Sequence, residues 1–280
     1  MNRYLPIALS LLVAGSAFGA DKAFDKTFSV SPGGSLVVDA DSASVQVSGG
    51  DTNQVTVHMT AHGSSEELAD VQLDAVQKGN EVTVTMRRQQ KKSWFQWNSW
   101  NGDSRIEVKV PRNFGVRVQT GGGNVELTNT VGTATLKTSG GDIVARNVNG
   151  NIEARTSGGG IRLDTIRGDV DADTSGGDVR LMNVDGKIRG NTSGGNVECT
   201  LVGSNRGITA TTSGGSIQVT VPRNTTANID ATTSGGEIST ELPVTSTNWK
   251  EGRVKGTLNG GGQPIDAHTS GGDVSLRAAN

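Results

Sequence analysis

Along most of the chain, apolar and polar residues alternate in short runs, the pattern of strands with one buried face. The runs are punctuated by a recurring Thr-Ser-Gly-Gly. Its threonines stand at Thr120 (in Thr-Gly-Gly-Gly), Thr138, Thr156, Thr174, Thr192, Thr212, Thr233 and Thr269, at intervals of 18, 18, 18, 18, 20, 21 and 36 residues. Five positions after each threonine come Val125, Ile143, Ile161, Val179, Val197, Ile217, Ile238 and Val274, all β-branched. Two residues further are Leu127, Ala145, Leu163, Leu181, Cys199, Val219, Thr240 and Leu276. Four positions before each threonine are Val116, Ala134, Ile152, Val170, Ile188, Ile208, Ile229 and Ile265. These columns predict two short strands per period, with the β-branched column facing a core. The alternation also turns each threonine inward at the end of its strand, where a hydroxyl can bond nearby backbone.

A fixed period of this length predicts a solenoid. The reading is an all-β parallel β-solenoid of about 18 residues per coil, each coil pairing its backbone with those above and below. Right-handed winding is the default for parallel crossovers; a left-handed hexapeptide solenoid would need apolar residues every six, which these offsets do not supply. The two glycines of each phrase are expected to make the bend by taking positive φ. Residues 20–115 read as an irregular β-rich section capping the solenoid, with a turn of helix after Ser64 or Ser65. Residues 116–280 read as the repeats, and the long final interval predicts a projecting loop near 244–256.

Composition narrows the class. The chain has 280 residues, 40 of them glycine, about twice the usual share, with 33% hydrophobic and only 4% aromatic residues. Such a chain needs many bends and fills a thin core. A formal net charge of −2 argues against nucleic acid as a partner. Residues 1–19 follow the layout of a secretory signal peptide: Arg3, an apolar run from Leu5, then small residues, with cleavage expected after Gly19. The apolar run is too short to span a bilayer. We therefore expect an exported protein without an integral membrane segment, periplasmic in a two-membrane cell, with the cell surface or medium as alternatives. Cys199, the single cysteine, falls in a leucine column and reads as a small buried hydrophobe rather than a reactive thiol.

Little in the sequence points to catalysis, a metal or a cofactor. The residue after each Gly-Gly is often Asp or Asn, but the spacing does not match a calcium-binding repeat. His58, His62 and His268 form no ligand motif. Glu153 with Asp171, and Arg162 with Arg180, stack one coil apart and are the pairs an active-site groove would use. The exception to this plainness is Trp94, Phe95, Trp97 and Trp100, clustered just after four cationic residues. That segment either presents aromatic rings to a sugar or partner, or folds back to close an end of the solenoid. Trp249, in the final interval, is the other candidate binding residue.

Phe28–Asp51, Ile106–Leu127 and the repeated Thr-Ser-Gly-Gly-Asp-Val resemble, in that order, the opening, repeat entry and recurring unit of the bacterial "putative adhesin" family of exported β-strand-repeat proteins. The resemblance covers nearly all of the expected mature chain and implies an exported β-solenoid; it supplies no catalytic or binding residues. The expected function is that of a non-catalytic envelope scaffold presenting loops to a protein or glycan. The alternative is a polysaccharide lyase or hydrolase built on a parallel β-helix.

Overall fold

The computed structural model describes residues 20–89 and 103–279. Its N-terminal part contains β1 (Ala20–Ser29), β2 (Gly34–Ala40), β3 (Ser44–Gly50), β4 (Gln54–Gly63), the short helix α1 (Ser65–Ala69), β5 (Val71–Lys78), β6 (Glu81–Arg88) and β7 (Ser104–Pro111). Ser64 caps α1 in a reciprocal box with Glu67. From β8 (Phe114–Thr120) and β9 (Val125–Val131) the chain repeats in pairs: β10 (Ala134–Thr138) with β11 (Ile143–Asn149), β12 (Ile152–Arg155) with β13 (Ile161–Arg167), and β14 (Val170–Asp173) with β15 (Val179–Asp185). β16 (Ile188–Asn191) with β17 (Val197–Leu201) and β18 (Ile208–Thr211) with β19 (Ile217–Val221) continue the series. It ends with β20 (Ala227–Thr232), β21 (Ile238–Thr240), β22 (Val244–Lys250), β23 (Arg253–Leu258), β24 (Pro264–His268) and β25 (Val274–Ala278).

The first strand of each coil joins one parallel sheet and the second strand joins another, so the architecture is the expected parallel solenoid. Register follows the period. Ile143, for example, pairs with Val125 on one side and Ile161 on the other, and the three columns of the alignment are buried between the sheets, except at the last strand, where Ile238 and Thr240 are half-buried. Each Leu or Ile fully buried there contributes about 2 kcal/mol. Cys199 lies between Leu181 and Val219 in its column. It is fully buried, and burial, then the neighbouring Glu198 charge, pushes its thiol up to about 12.

The threonines point inward as expected. Thr138 Oγ1 donates to the Gly123 carbonyl at 2.9 Å and accepts from the Gly141 N–H at 3.3 Å. Thr156, Thr174, Thr192 and Thr212 donate equivalently to Gly141, Gly159, Gly177 and Gly195. Each hydroxyl stitches its corner to the coil below. The glycines have a different cause from the one expected. In the Thr-Ser-Gly-Gly copies none has positive φ; only Gly123, in the variant copy, does. Instead, a Cβ on the second glycine of each copy would overlap the backbone of the stacked glycine, as Gly141 on Gly123 and Gly177 on Gly159. Close stacking of corners, not backbone freedom, requires the residue.

Left-handed backbone appears at the other bend. Asn129, Asn147, Thr165 and Asn183 have φ of 55–59°. The break in alternation lets both Ala145 and Val148 face inward, which creates an additional apolar column of Val148, Ile166 and Val184. In the first copy that slot holds Thr130, whose buried hydroxyl has no hydrogen-bond partner among the described residues.

The ends depart from sequence order. The first coil, β2–β3, lies between β8–β9 on one side and β6–β7 on the other. The last coil, β24–β25, is inserted between β18–β19 and β20–β21. The corner threonines record this insertion: Thr269 donates to Gly215, and Thr233 to Gly272. Residues 244–258 form the antiparallel strands β22 and β23 where a projecting loop was expected, and β23 pairs with β20. Alternating Val254, Gly256 and Leu258 supply the buried face that holds β23 on the stack.

Candidate functional site

The sites suggested by the sequence separate into three places. Trp94, Phe95, Trp97 and Trp100 lie outside the described residues. The described residues on either side of them are Gln89, whose N–H donates to the Asp70 carbonyl, and Asp103, whose carbonyl accepts the His62 N–H. Trp249 lies in β22, its backbone opposite Val254. β6 and β22 are eleven strand spacings apart in one sheet, about 50 Å. The fold therefore attaches the two aromatic candidates at opposite ends.

The third place is the outward face of the regular coils. Glu153 and Asp171 are adjacent on β12 and β14, as the period requires. Lys137 Nζ is 3.1 Å from Glu153, Arg155 Nε is 3.0 Å from Glu153, and Arg155 Nη2 is 2.8 Å from Asp171. Arg189 closes the row at 3.5 Å from Asp171. The hydrogen bond from Lys137, with the nearby positive charge of Arg155, outweighs partial burial and holds the Glu153 carboxyl below the usual range. A general acid needs the opposite shift. Arg155 lies opposite Asp173 in the register, but its guanidinium turns to Glu153 and Asp171. Arg162 and Arg180 also stack, and Arg180 is engaged by Asp178 at 2.7 Å and Glu198 at 3.8 Å.

Other chemistry-bearing residues serve the ladder too. Asn124 Oδ1 accepts the Asp142 N–H, Asp142 Oδ1 the Gly160 N–H, and Asp178 Oδ1 the Asn196 N–H, at 2.7–2.9 Å. At the second bend, Asn151 Oδ1 and Asp169 Oδ1 do the same for Asp169 and Lys187. The column weighed for calcium thus caps backbone donors at the corners. His58 and His62 bond Asp25 and Asp21 across β4 and β1 at 2.7 Å, and His268 bonds Thr232 at 2.7 Å. No group of three or more His, Cys, Asp or Glu among the described residues is arranged to hold a metal ion. No helix among them is long and apolar enough to cross a membrane.

Missing from the sequence reading was a groove at the left-handed bend, about 260 Å³ in volume, flanked by Arg112 and Arg167 and lined between them by Asn129, Asn147, Asn149 and Thr165. The regular return of Asn129, Asn147 and Asn183 at 18-residue and 36-residue offsets was the available signal.

Fold and surface together define a parallel β-solenoid whose outward charges are largely spent on holding adjacent coils together. The family described as Toastrack DUF4097 matches residues 34–277, and the chain belongs to that family. A sequence search of curated proteins finds no match. Among solved structures, the chain is similar to a protein described as a "putative adhesin" from Bacteroides fragilis NCTC 9343, at 12% identity and a TM-score of 0.46, covering 92% of this chain and 97% of that one. It is also similar to a "putative adhesin" from Parabacteroides distasonis ATCC 8503, at 14% identity and a TM-score of 0.38, covering 91% and 97%. A protein from the same organism described as a "putative lipid binding protein" aligns at 11% identity and a TM-score of 0.33, covering 92% and 97%.

Proposed function

We propose that the chain is a non-catalytic exported envelope protein, periplasmic in a two-membrane cell, in which a rigid solenoid presents the Trp94–Trp100 segment to a partner protein or glycan. The observation that carries this reading is the engagement of Glu153, Asp171, Arg155 and Arg180 in coil-to-coil ion pairs. It argues against the lyase or hydrolase alternative and directs the search for function to the interruptions of the repeat. Aromatic side chains are also the residues most often found to dominate binding energy at interfaces. Affinity capture from the native envelope tests the proposal. The mature chain is expected to retain a specific partner, and the triple variant Trp94→Ala, Trp97→Ala, Trp100→Ala to lose it while keeping its β-sheet circular dichroism. Equal capture by both proteins would remove the aromatic segment from the account.

A further inference from the structure

The groove at the left-handed bend contains a residue that the backbone does not favour. Three coils place asparagine in the left-handed region, which asparagine tolerates; the fourth places Thr165 there, at φ 59°. A β-branched residue is a genuine outlier in this region, because its Cβ crowds the following carbonyl, and such strain tends to gather at functional sites. The local consequence is chemical. Asn147 Nδ2 donates to Asn129 Oδ1 at 3.1 Å, beginning an amide ladder up the stack. Thr165 interrupts it, because its hydroxyl turns to Asp164 and Asn183 also turns to Asp164. Asn147 Oδ1 and Asn129 Nδ2 are left facing the groove without a further side-chain partner among the described residues.

Guanidinium groups bound this row of amides. Arg167 has no ion pair among the described residues, although Asp185 is its neighbour on the next coil. Among the described residues the Arg112 guanidinium meets only Asp51, at 3.4 Å, and that carboxylate is 91% exposed. Residue 113 bridges to 131, 131 pairs with 149 and 149 with 167, so the two arginines are about three strand spacings apart, about 14 Å. That separation is too wide for one phosphate to satisfy both. It suits an extended ligand with neutral hydroxyls along its length and a carboxylate for a guanidinium fork. We infer that this bend groove binds a linear oligosaccharide bearing carboxylates, with Arg167 and Arg112 taking the carboxylates and the amides of Asn129, Asn147 and Asn149 taking ring hydroxyls. The inference stands independently of the aromatic segment, which attaches elsewhere.

Isothermal titration of the full mature chain with trigalacturonate, a hyaluronan tetrasaccharide, fully methyl-esterified trigalacturonate and inorganic phosphate provides the test. At least one of the two acidic oligosaccharides is expected to bind. Arg167→Ala should then weaken it about tenfold, as loss of a charge-assisted hydrogen bond does. Arg223→Ala, an exposed arginine outside the groove, should leave binding unchanged. Thr165→Asn separates ligand binding from a purely structural role: it should raise the urea midpoint by relieving strain and completing the ladder, yet weaken binding by occupying Asn147 Oδ1. Failure of both acidic oligosaccharides to bind would overturn the inference. So would binding of the esterified sugar as tight as that of trigalacturonate, equal losses in Arg167→Ala and Arg223→Ala, or displacement of the sugar by equimolar phosphate.

Discussion

Gly140 and Gly141 show how far a residue's chemistry can be read from its type alone. Both are glycines of one corner, and both were expected to supply a left-handed bend. The structure gives neither a positive φ, and only Gly141 lies against backbone of the neighbouring coil; around Gly140 the space for a Cβ is open. Gly141→Ala is therefore expected to cost about 3 kcal/mol through overpacking against Gly123, and Gly140→Ala to change stability by less than about 0.5 kcal/mol. Urea denaturation of both variants checks this; equal losses would restore the conformational explanation. The threonine and Cys199 were legible because alternation alone decides which side they face. The glycine reason was not, because close approach of coils is a property of the stack and leaves no mark within one period. The Asn129, Asn147 and Asn183 series was missed for a related cause: a left-handed residue resets the alternation, so Val148 and its equivalents fall out of the period-two pattern.

Individual strands were easier to anticipate than their partners. The β-rich character of residues 20–115 and the turn of helix after Ser64 were visible in the sequence, but pairing at the ends depends on long-range choices. At the N-terminal end β1 is the outer strand of one sheet and β5 of the other. Exposed strand edges invite pairing between molecules, and lysine is a common means of blocking them. Here Lys26 Nζ donates to the Ala75 carbonyl at 2.7 Å, Lys22 Nζ donates to the Val71 carbonyl, and Gln77 Nε2 donates to the Ser29 carbonyl at 2.8 Å. The edges are thereby fastened to each other. Replacing both lysines with methionine keeps apolar stems and removes the donors. Sedimentation velocity is expected to show stronger concentration-dependent association than for the unaltered chain; identical profiles would mean these contacts do not guard the edge. At the other end, the segment near 244–256 was read as a projecting loop because it falls in the long final interval of the repeat. Its antiparallel pairing to β20 follows a different rule from the repeat.

Across the whole molecule the period predicted that coils stack in parallel, and they do; it also implied that they stack in chain order, and at both ends they do not. Ile217, Val274 and Ile238 occupy the same column with side chains of similar shape, so a core made of such columns accepts the coils in either order. Tucking the first and last coils inside the stack gives each of them backbone partners on two sides and leaves three of the four outermost positions to the antiparallel strands β1, β5 and β22, the fourth falling to the short parallel strand β21. This arrangement is the central structural claim, and disulfide mapping tests it most directly. In a Cys199→Ala background, Gln218→Cys with Ser275→Cys, and Ser239→Cys with Ser275→Cys, place cysteines directly opposite each other on outward positions of adjacent strands. Gln218→Cys with Ser239→Cys places them two strand spacings apart, about 10 Å and beyond disulfide reach. Mild oxidation is predicted to cross-link the first two pairs and not the third; ready cross-linking of residues 218 and 239, with none from 218 to 275, would contradict the inserted C-terminal coil.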